Sequence, residues 1–162
     1  MSDDAILEVP ERSGTVDIDS AITGAQFERL VREHMGESSR FSFRVEELRR
    51  GHCRIRLHFD KAQLRPGGTI AGPVMFTLAD TVLYAMTMSV AGLEPLAVTT
   101  DLTLHFLRKP GPVDLIGVGR LLKASGRRLM GDVAIFSDGE ERPVAHATGA
   151  YALPPRSATE SS

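Results

Sequence analysis

The sequence predicts an α+β domain, an antiparallel β-sheet wrapped around one long central helix. Three observations predict it. Between Arg65 and Glu94 the chain carries a single formal charge, Asp80, and from Val74 to about Ala91 it has no Gly or Pro and is rich in Met, Leu, Ala and Val. A helix that is apolar nearly all round is one enclosed by the rest of its fold. On both sides of it lie short runs in which apolar and polar residues alternate, the pattern of strands with one buried and one wet face. Turn signals containing Gly or Pro separate these runs at short intervals.

In chain order, residues 1–20 are polar and mixed and read as an N-terminal arm. Thr23 to about Met35 reads as a helix, with Phe27, Leu30, Val31 and Met35 on one face, Glu28, Arg32 and Glu33 opposite, and Gly36 as its stop. Phe41–Glu47 is a first strand. A turn at Arg50-Gly51 leads to a second, His52–Phe59, in which Cys53, Ile55, Leu57 and Phe59 alternate with His52, Arg54, Arg56 and His58. The loop Asp60–Gly68 delivers the central helix. Pro73 suits its first position, where a missing N–H costs no intrahelical bond.

The chain then becomes purely β. Val98–Leu107, Val113–Lys123, Arg128–Phe136 and Arg142–Leu153 are strands, separated by Pro110-Gly111-Pro112, by Ser125-Gly126 and by the hairpin signal Asp138-Gly139. An antiparallel sheet buries one face, and the central helix is its cover. A single domain over residues 21–154 follows, with Pro154-Pro155 at its end and residues 155–162 as a disordered tail.

Composition narrows the function. A chain of 162 residues, 42% hydrophobic and 25% charged, is long enough for one domain with a real core. Its net charge of −2 argues against a bulk nucleic-acid binder, and the N-terminal segment has room for only one helix of a DNA-binding pair. Thr69–Ala91 is long enough to span a bilayer, but Gly72-Pro73, Asp80 and flanks without a Lys/Arg cluster favour a core helix. The lone Cys53 excludes an intramolecular disulfide, and the acidic start lacks a secretory pattern, so a cytoplasmic location is expected. The histidines His34, His52, His58, His105 and His146 show no strong metal-ligand spacing, and no phosphate-binding glycine loop is present; neither a metal nor a cofactor is expected.

Asp80 is the residue to explain. An ionised, unpaired carboxylate in an apolar helix costs several kcal/mol, so it finds a partner or becomes protonated. A structural reading has Thr77 or Thr81 satisfying it; a functional reading puts it in a site.

Within this layout, AGPVMFTLADT (71–81), TTDLTLHFLRKP (99–110) and AHATGAYALP (145–154) resemble the hotdog-fold acyl-CoA thioesterases of the phenylacetate-degradation (PaaI-like) type, over roughly Phe41–Leu153. In that family the central helix opens with His-Gly-Gly and continues to a Leu-Ala-Asp whose carboxylate is catalytic. Here Ala71-Gly72-Pro73 stands at the first motif and Leu78-Ala79-Asp80 at the second; the first Gly and the Asp match, the His and the second Gly do not. The resemblance implies hydrolysis of a small or medium-chain acyl-CoA, aryl acids included. Asp80 would be nucleophile or general base. The Gly72 N–H, at the positive end of the helix, would polarise the thioester carbonyl, with Val74 as a second donor. Tyr84 and Thr87, one and two turns beyond Asp80, either line a pocket or pack in the core. Arg108 and Lys109 at a strand end, and Arg127 and Arg128 at a turn, are the candidates for coenzyme A phosphates. His58 and His105 are candidates to replace the absent His.

Gly72 and Asp80 lie eight positions apart, about 12 Å along a helix. One carbonyl cannot reach both on one helix. Antiparallel helices related by a two-fold axis would bring Gly72 of one copy to Asp80 of the other, which predicts an isologous homodimer with two shared sites, and beyond it a dimer of dimers. A non-catalytic acyl-CoA binding protein is the alternative, although a binder gains nothing from a costly buried charge. A hotdog dehydratase or hydratase needs a His paired with a carboxylate, and the segment from Arg65 to Leu104 has none.

Overall fold

The computed structural model describes residues 19–35 and 41–156; the arm up to residue 18, the Gly36 stop and the tail from residue 157 lie outside the described residues. The elements are α1 (Gly24–Met35), β1 (Phe43–Arg49), β2 (His52–Leu57), α2 (Gly72–Ala91), β3 (Val98–Phe106), β4 (Leu115–Ser125), β5 (Arg128–Ser137) and β6 (Ala145–Ala152). All neighbouring strands pair antiparallel, in the order β1-β2-β4-β5-β6-β3. The expected architecture is the one observed, a sheet wrapped round α2.

What lets the helix nest so closely is a set of glycines on the sheet face beneath it. A Cβ at Gly117, Gly119, Gly131 or Gly149 would lie less than 3.0 Å from the side chains of Val82, Met86 or Leu83. Glycine within a strand marks such an approach of another element. Leu78, Val82, Leu83 and Met86 then pack on Cys53, Ile55, Val133, Ile135 and Ala147, all buried. Burial pushes the Cys53 thiol far above its ordinary pKa, with Glu47 adding to the shift, so it acts as a small apolar side chain.

Enclosure of α2 is one-sided. The expectation of a helix covered all round holds for its sheet face; on the other side Pro73 and Phe76 are exposed and Thr77, Asp80 and Tyr84 half-buried. This outward stripe carries the Asp80 carboxylate and the hydroxyls of Thr77 and Tyr84.

Helix α1 begins with a reciprocal cap. Gln26 N–H donates to Thr23 Oγ1 (3.1 Å) and Thr23 N–H to Gln26 Oε1 (2.9 Å). Phe27 and Val31 are buried as expected. Glu28, expected on the wet face, instead accepts the Val45 N–H at 2.7 Å and ties α1 to β1.

The strand boundaries shift by one to three residues from expectation in every strand: β1 ends at Arg49, β2 at Leu57, β3 at Phe106 and β5 at Ser137, while β4 runs Leu115–Ser125 and β6 Ala145–Ala152. The first strand starts at Phe43, not Phe41. Asp138-Gly139 turns the chain (Gly139 φ 84°), but the connection runs on to residue 144 and is no tight hairpin, because Pro143 has no N–H with which to extend β6 towards the turn. The two-residue connections are Arg50-Gly51 and Gly126-Arg127.

Candidate active site

Asp80 sits in the third turn of α2, facing the junction of β3 and β6. Its Oδ1 accepts two hydrogen bonds, from Thr99 Oγ1 at 2.7 Å and from the Tyr151 hydroxyl at 2.9 Å. That hydroxyl is also 3.3 Å from the Asp80 main-chain oxygen. Oδ2 has no hydrogen-bond partner among the described residues. Thr77 and Thr81, the partners of the structural reading, donate instead to the carbonyls of Pro73 (2.9 Å) and Thr77 (2.7 Å).

The backbone explains why Thr99 reaches the helix. Thr99 lies directly opposite Tyr151, and the next pair is Asp101 with Ala150, so Thr100 is an extra residue in β3. Without this bulge, strict alternation with Leu102 and Leu104 would turn Thr99 away from α2. Tyr151 is only 4% exposed. Burial, and after it the negative charge of Asp80, pushes its phenol far above the ordinary pKa, so it stays a donor across the working pH range. The Tyr84 ring stacks on Tyr151 (centroids 5.4 Å, 12° between planes), and its hydroxyl donates to Pro95 O at 2.9 Å. The polar end of Tyr84 is thereby committed to the backbone. Thr87 is buried in the core.

The other half lies at the start of α2. Ala71 is extended (φ −68°, ψ 145°) and offers no side-chain cap. The Gly72 N–H belongs to the first turn, whose amides have no intrahelical acceptor. Pro73 has no N–H, and the Val74 N–H donates to Ala71 O at 3.1 Å, which leaves Gly72 as the open donor of the three. Beside Gly72 is a cavity of ≈ 420 Å³ whose walls include Phe106, Leu107, Arg65, Arg108 and Lys109. A Cβ on Gly72 would stand 3.1 Å from Phe106 Cζ, so a side chain there would crowd the ring.

Structure thus gathers Gly72, Arg108 and Lys109 at one end and Asp80, Tyr84 and Tyr151 at the other. Arg127 and Arg128 belong to neither cluster directly. Both are exposed at the β4–β5 turn, where Arg128 faces Asp101 at 3.7 Å. His58 lies 3.7 Å from Asp114 and His105 pairs opposite His146 across β3 and β6; neither lines the Gly72 cavity. No group of three or more potential metal ligands occurs among the described residues. Sequence reasoning missed Thr99, Tyr151 and Arg65. The first two required the β3–β6 register, which nothing local to Asp80 announces.

A separate charged cluster sits on the outer sheet face. Asp132 accepts from Arg120 Nε (2.8 Å) and Nη2 (3.1 Å), and His146 Nε2 lies 3.0 Å away. Burial alone would raise the Asp132 pKa, but these partners outweigh it and hold the carboxyl below its ordinary value.

Residues 67–144 match the family profile of the thioesterase superfamily. A protein from Silicibacter sp. TM1040 assigned as a thioesterase is 37% identical, with a TM-score of 0.73 over 86% of this chain and 96% of its own. A Saccharolobus solfataricus protein assigned as an esterase is 28% identical over 130 residues, 76% of this chain and 83% of the relative. A hypothetical thioesterase protein of Streptococcus pneumoniae TIGR4, solved with coenzyme A, shares the fold at 22% identity and a TM-score of 0.68, over 82% of this chain and 97% of its own.

Proposed function

The chain belongs to the thioesterase superfamily and is a thioester hydrolase, and we propose that it cleaves a small or medium-chain acyl-CoA, aryl acids included, in the manner of the phenylacetate-degradation type. The observation that carries this reading is the Asp80 carboxylate, held through Oδ1 by Thr99 and Tyr151 with Oδ2 left for chemistry. In the general-base form, Oδ2 takes a proton from water, the resulting hydroxide adds to the thioester carbon, and the C–S bond breaks to give the acid and the coenzyme A thiol. In the nucleophilic form, Oδ2 adds directly to the thioester carbon, the C–S bond breaks and coenzyme A leaves as the thiolate. Water then hydrolyses the mixed anhydride to the acid and the free Asp80 carboxylate, its released proton going to the thiolate. In both, charge develops on the carbonyl oxygen, where the Gly72 N–H is the donor.

The helix spacing of about 12 Å keeps Gly72 and Asp80 of one chain apart. We therefore read the site as shared by two copies, with α2 of one antiparallel to α2 of the other. Supporting this, β3 is an edge strand with exposed Val98 and Phe106, and the outward side of α2 exposes Phe76. Apolar side chains along an open edge suit a second copy better than water. Arg65, Arg108 and Lys109 supply positive charge for the coenzyme A phosphates at the cavity mouth. A reducing cytoplasm suits the buried, unpaired Cys53.

Thiol release from a panel of acyl-CoAs, wild type beside Asp80→Asn, tests the proposal. The substitution keeps the shape and removes the carboxylate. Turnover by the wild type that falls at least about 100-fold in the variant, or about 2.7 kcal/mol of barrier, supports it. Binding of acyl-CoA without turnover by either protein leaves a binding protein in its place; equal turnover by both discards Asp80.

A further inference from the structure

We propose that Tyr151 is a positioning residue for Asp80, a role that rests on the function proposed above. Three observations converge. The Tyr151 hydroxyl bridges both ends of the same residue, donating to Asp80 Oδ1 (2.9 Å) and lying 3.3 Å from its main-chain oxygen. A bond to the carboxylate alone would leave χ1 free to swing with the donor; contact to side chain and backbone together fixes the carboxylate relative to the helix that carries it. The ring itself cannot drift. It is buried, stacked on Tyr84, and Tyr84 is anchored at its far end by the bond to Pro95 O and from the side by the Phe27 ring (5.7 Å, 82°).

Strand register supplies the third. Tyr151 and Thr99 are cross-strand partners at the β3 bulge, so the two donors arrive at Oδ1 from adjacent strands and constrain it from two directions. Both bonds fall on Oδ1 and neither on Oδ2. The carboxylate is turned so that one oxygen is held and the other is presented, which is what attack on a carbonyl or activation of a water requires. A tyrosine that only filled the core would not need its hydroxyl at this place, since a tyrosine hydroxyl can be satisfied by a main-chain acceptor alone, as that of the half-buried Tyr84 is.

Tyr151→Phe removes the hydroxyl and keeps the ring and its stack. With the best substrate of the acyl-CoA panel, kcat falls roughly 10- to 100-fold while KM stays within about twofold, because substrate contacts are untouched and only the reacting oxygen is misplaced. Unchanged kcat in Tyr151→Phe, with Asp80→Asn inactive, overturns the positioning role and leaves the thioesterase reading standing. Equal turnover by Asp80→Asn and wild type removes both. A second measurement needs no turnover. The Asp80 carboxylate ¹³C resonance, assigned by its loss in Asp80→Asn, shifts at fixed neutral pH in Tyr151→Phe if the hydrogen bond is made. A resonance that stays in place overturns the proposal, whatever the substrate.

Discussion

The two ends of the outward stripe of α2 are built on opposite principles. Around Asp80 the polar groups are tied down, with Oδ2 as the exception: Thr99 and Tyr151 hold Oδ1, and Tyr84 is fixed to Pro95 and to the Tyr151 ring. Around Gly72 the backbone is bare, the neighbouring Phe106 is 58% exposed, and the cationic residues Arg65, Arg108 and Lys109 stand around an open cavity. One end fixes a reactive group; the other leaves room for a ligand. A hydrolase needs both, and a single copy keeps them about two turns apart. On the reading proposed above, the half-sites are complete as parts and become a catalyst when two copies meet.

Substitutions at the two ends should therefore fail differently. Asp80→Asn gives the largest loss, at least about 100-fold in kcat, with acyl-CoA binding retained. Gly72→Pro removes the oxyanion donor; proline is tolerated at the first helical position and Ala71 is already extended as a residue before proline must be, while the added Cβ requires the exposed Phe106 ring to give way by a few tenths of an ångström. A loss of about 100-fold in kcat is expected, the scale of deleting one such donor. A combined Arg108→Ala and Lys109→Ala variant raises KM by roughly 3- to 10-fold, less so at high salt, and leaves kcat alone. The matching Arg127→Ala and Arg128→Ala variant separates the ends further. Little change in KM would place the phosphates at the Gly72 cavity, whereas an equal rise would extend their path to the β4–β5 turn.

The smallest expected effect on turnover comes from outside both halves. Asp132→Asn breaks the Arg120 and His146 bonds and costs about 1–2 kcal/mol of stability, modest because Arg120 is partly in water. The Asp132 pKa is lowered in the folded state, so its contribution is present above the unfolded value of 3.8 and is lost as pH falls through the folded one. Thermal melts of variant and wild type should differ near neutrality and converge in acid, while kcat at a permissive temperature stays unchanged.

Much of this was legible in the sequence, for reasons that also mark where reading stops. The run Val74–Ala91 reads as a core helix in preference to a membrane span because Gly72-Pro73 and Asp80 interrupt the apolar stretch, and Cys53, Ile55 and Leu57 alternate so cleanly that β2 follows from them. Asp80 stood out because it is the one charge in an apolar run. Its partners did not, because Thr99 acts only through a bulge and Tyr151 lies 71 residues away on a strand that must first pair with β3. The outward exposure of Phe76 was hidden for a related reason. An apolar residue on a helix reads as core whether it meets the sheet of its own chain or the surface of another.

The most direct measurement of the central claim is complementation between the halves. Asp80→Asn and Gly72→Pro chains, each nearly inactive alone, are mixed through reversible dissociation and assayed for thiol release. A site shared across a two-fold dimer predicts recovery to about a quarter of wild-type turnover, since half of randomly formed dimers are mixed and each mixed dimer holds one intact site of two. A mixture no more active than its components, with mixed dimers shown to be present, would put both groups to work within one chain and contradict the account.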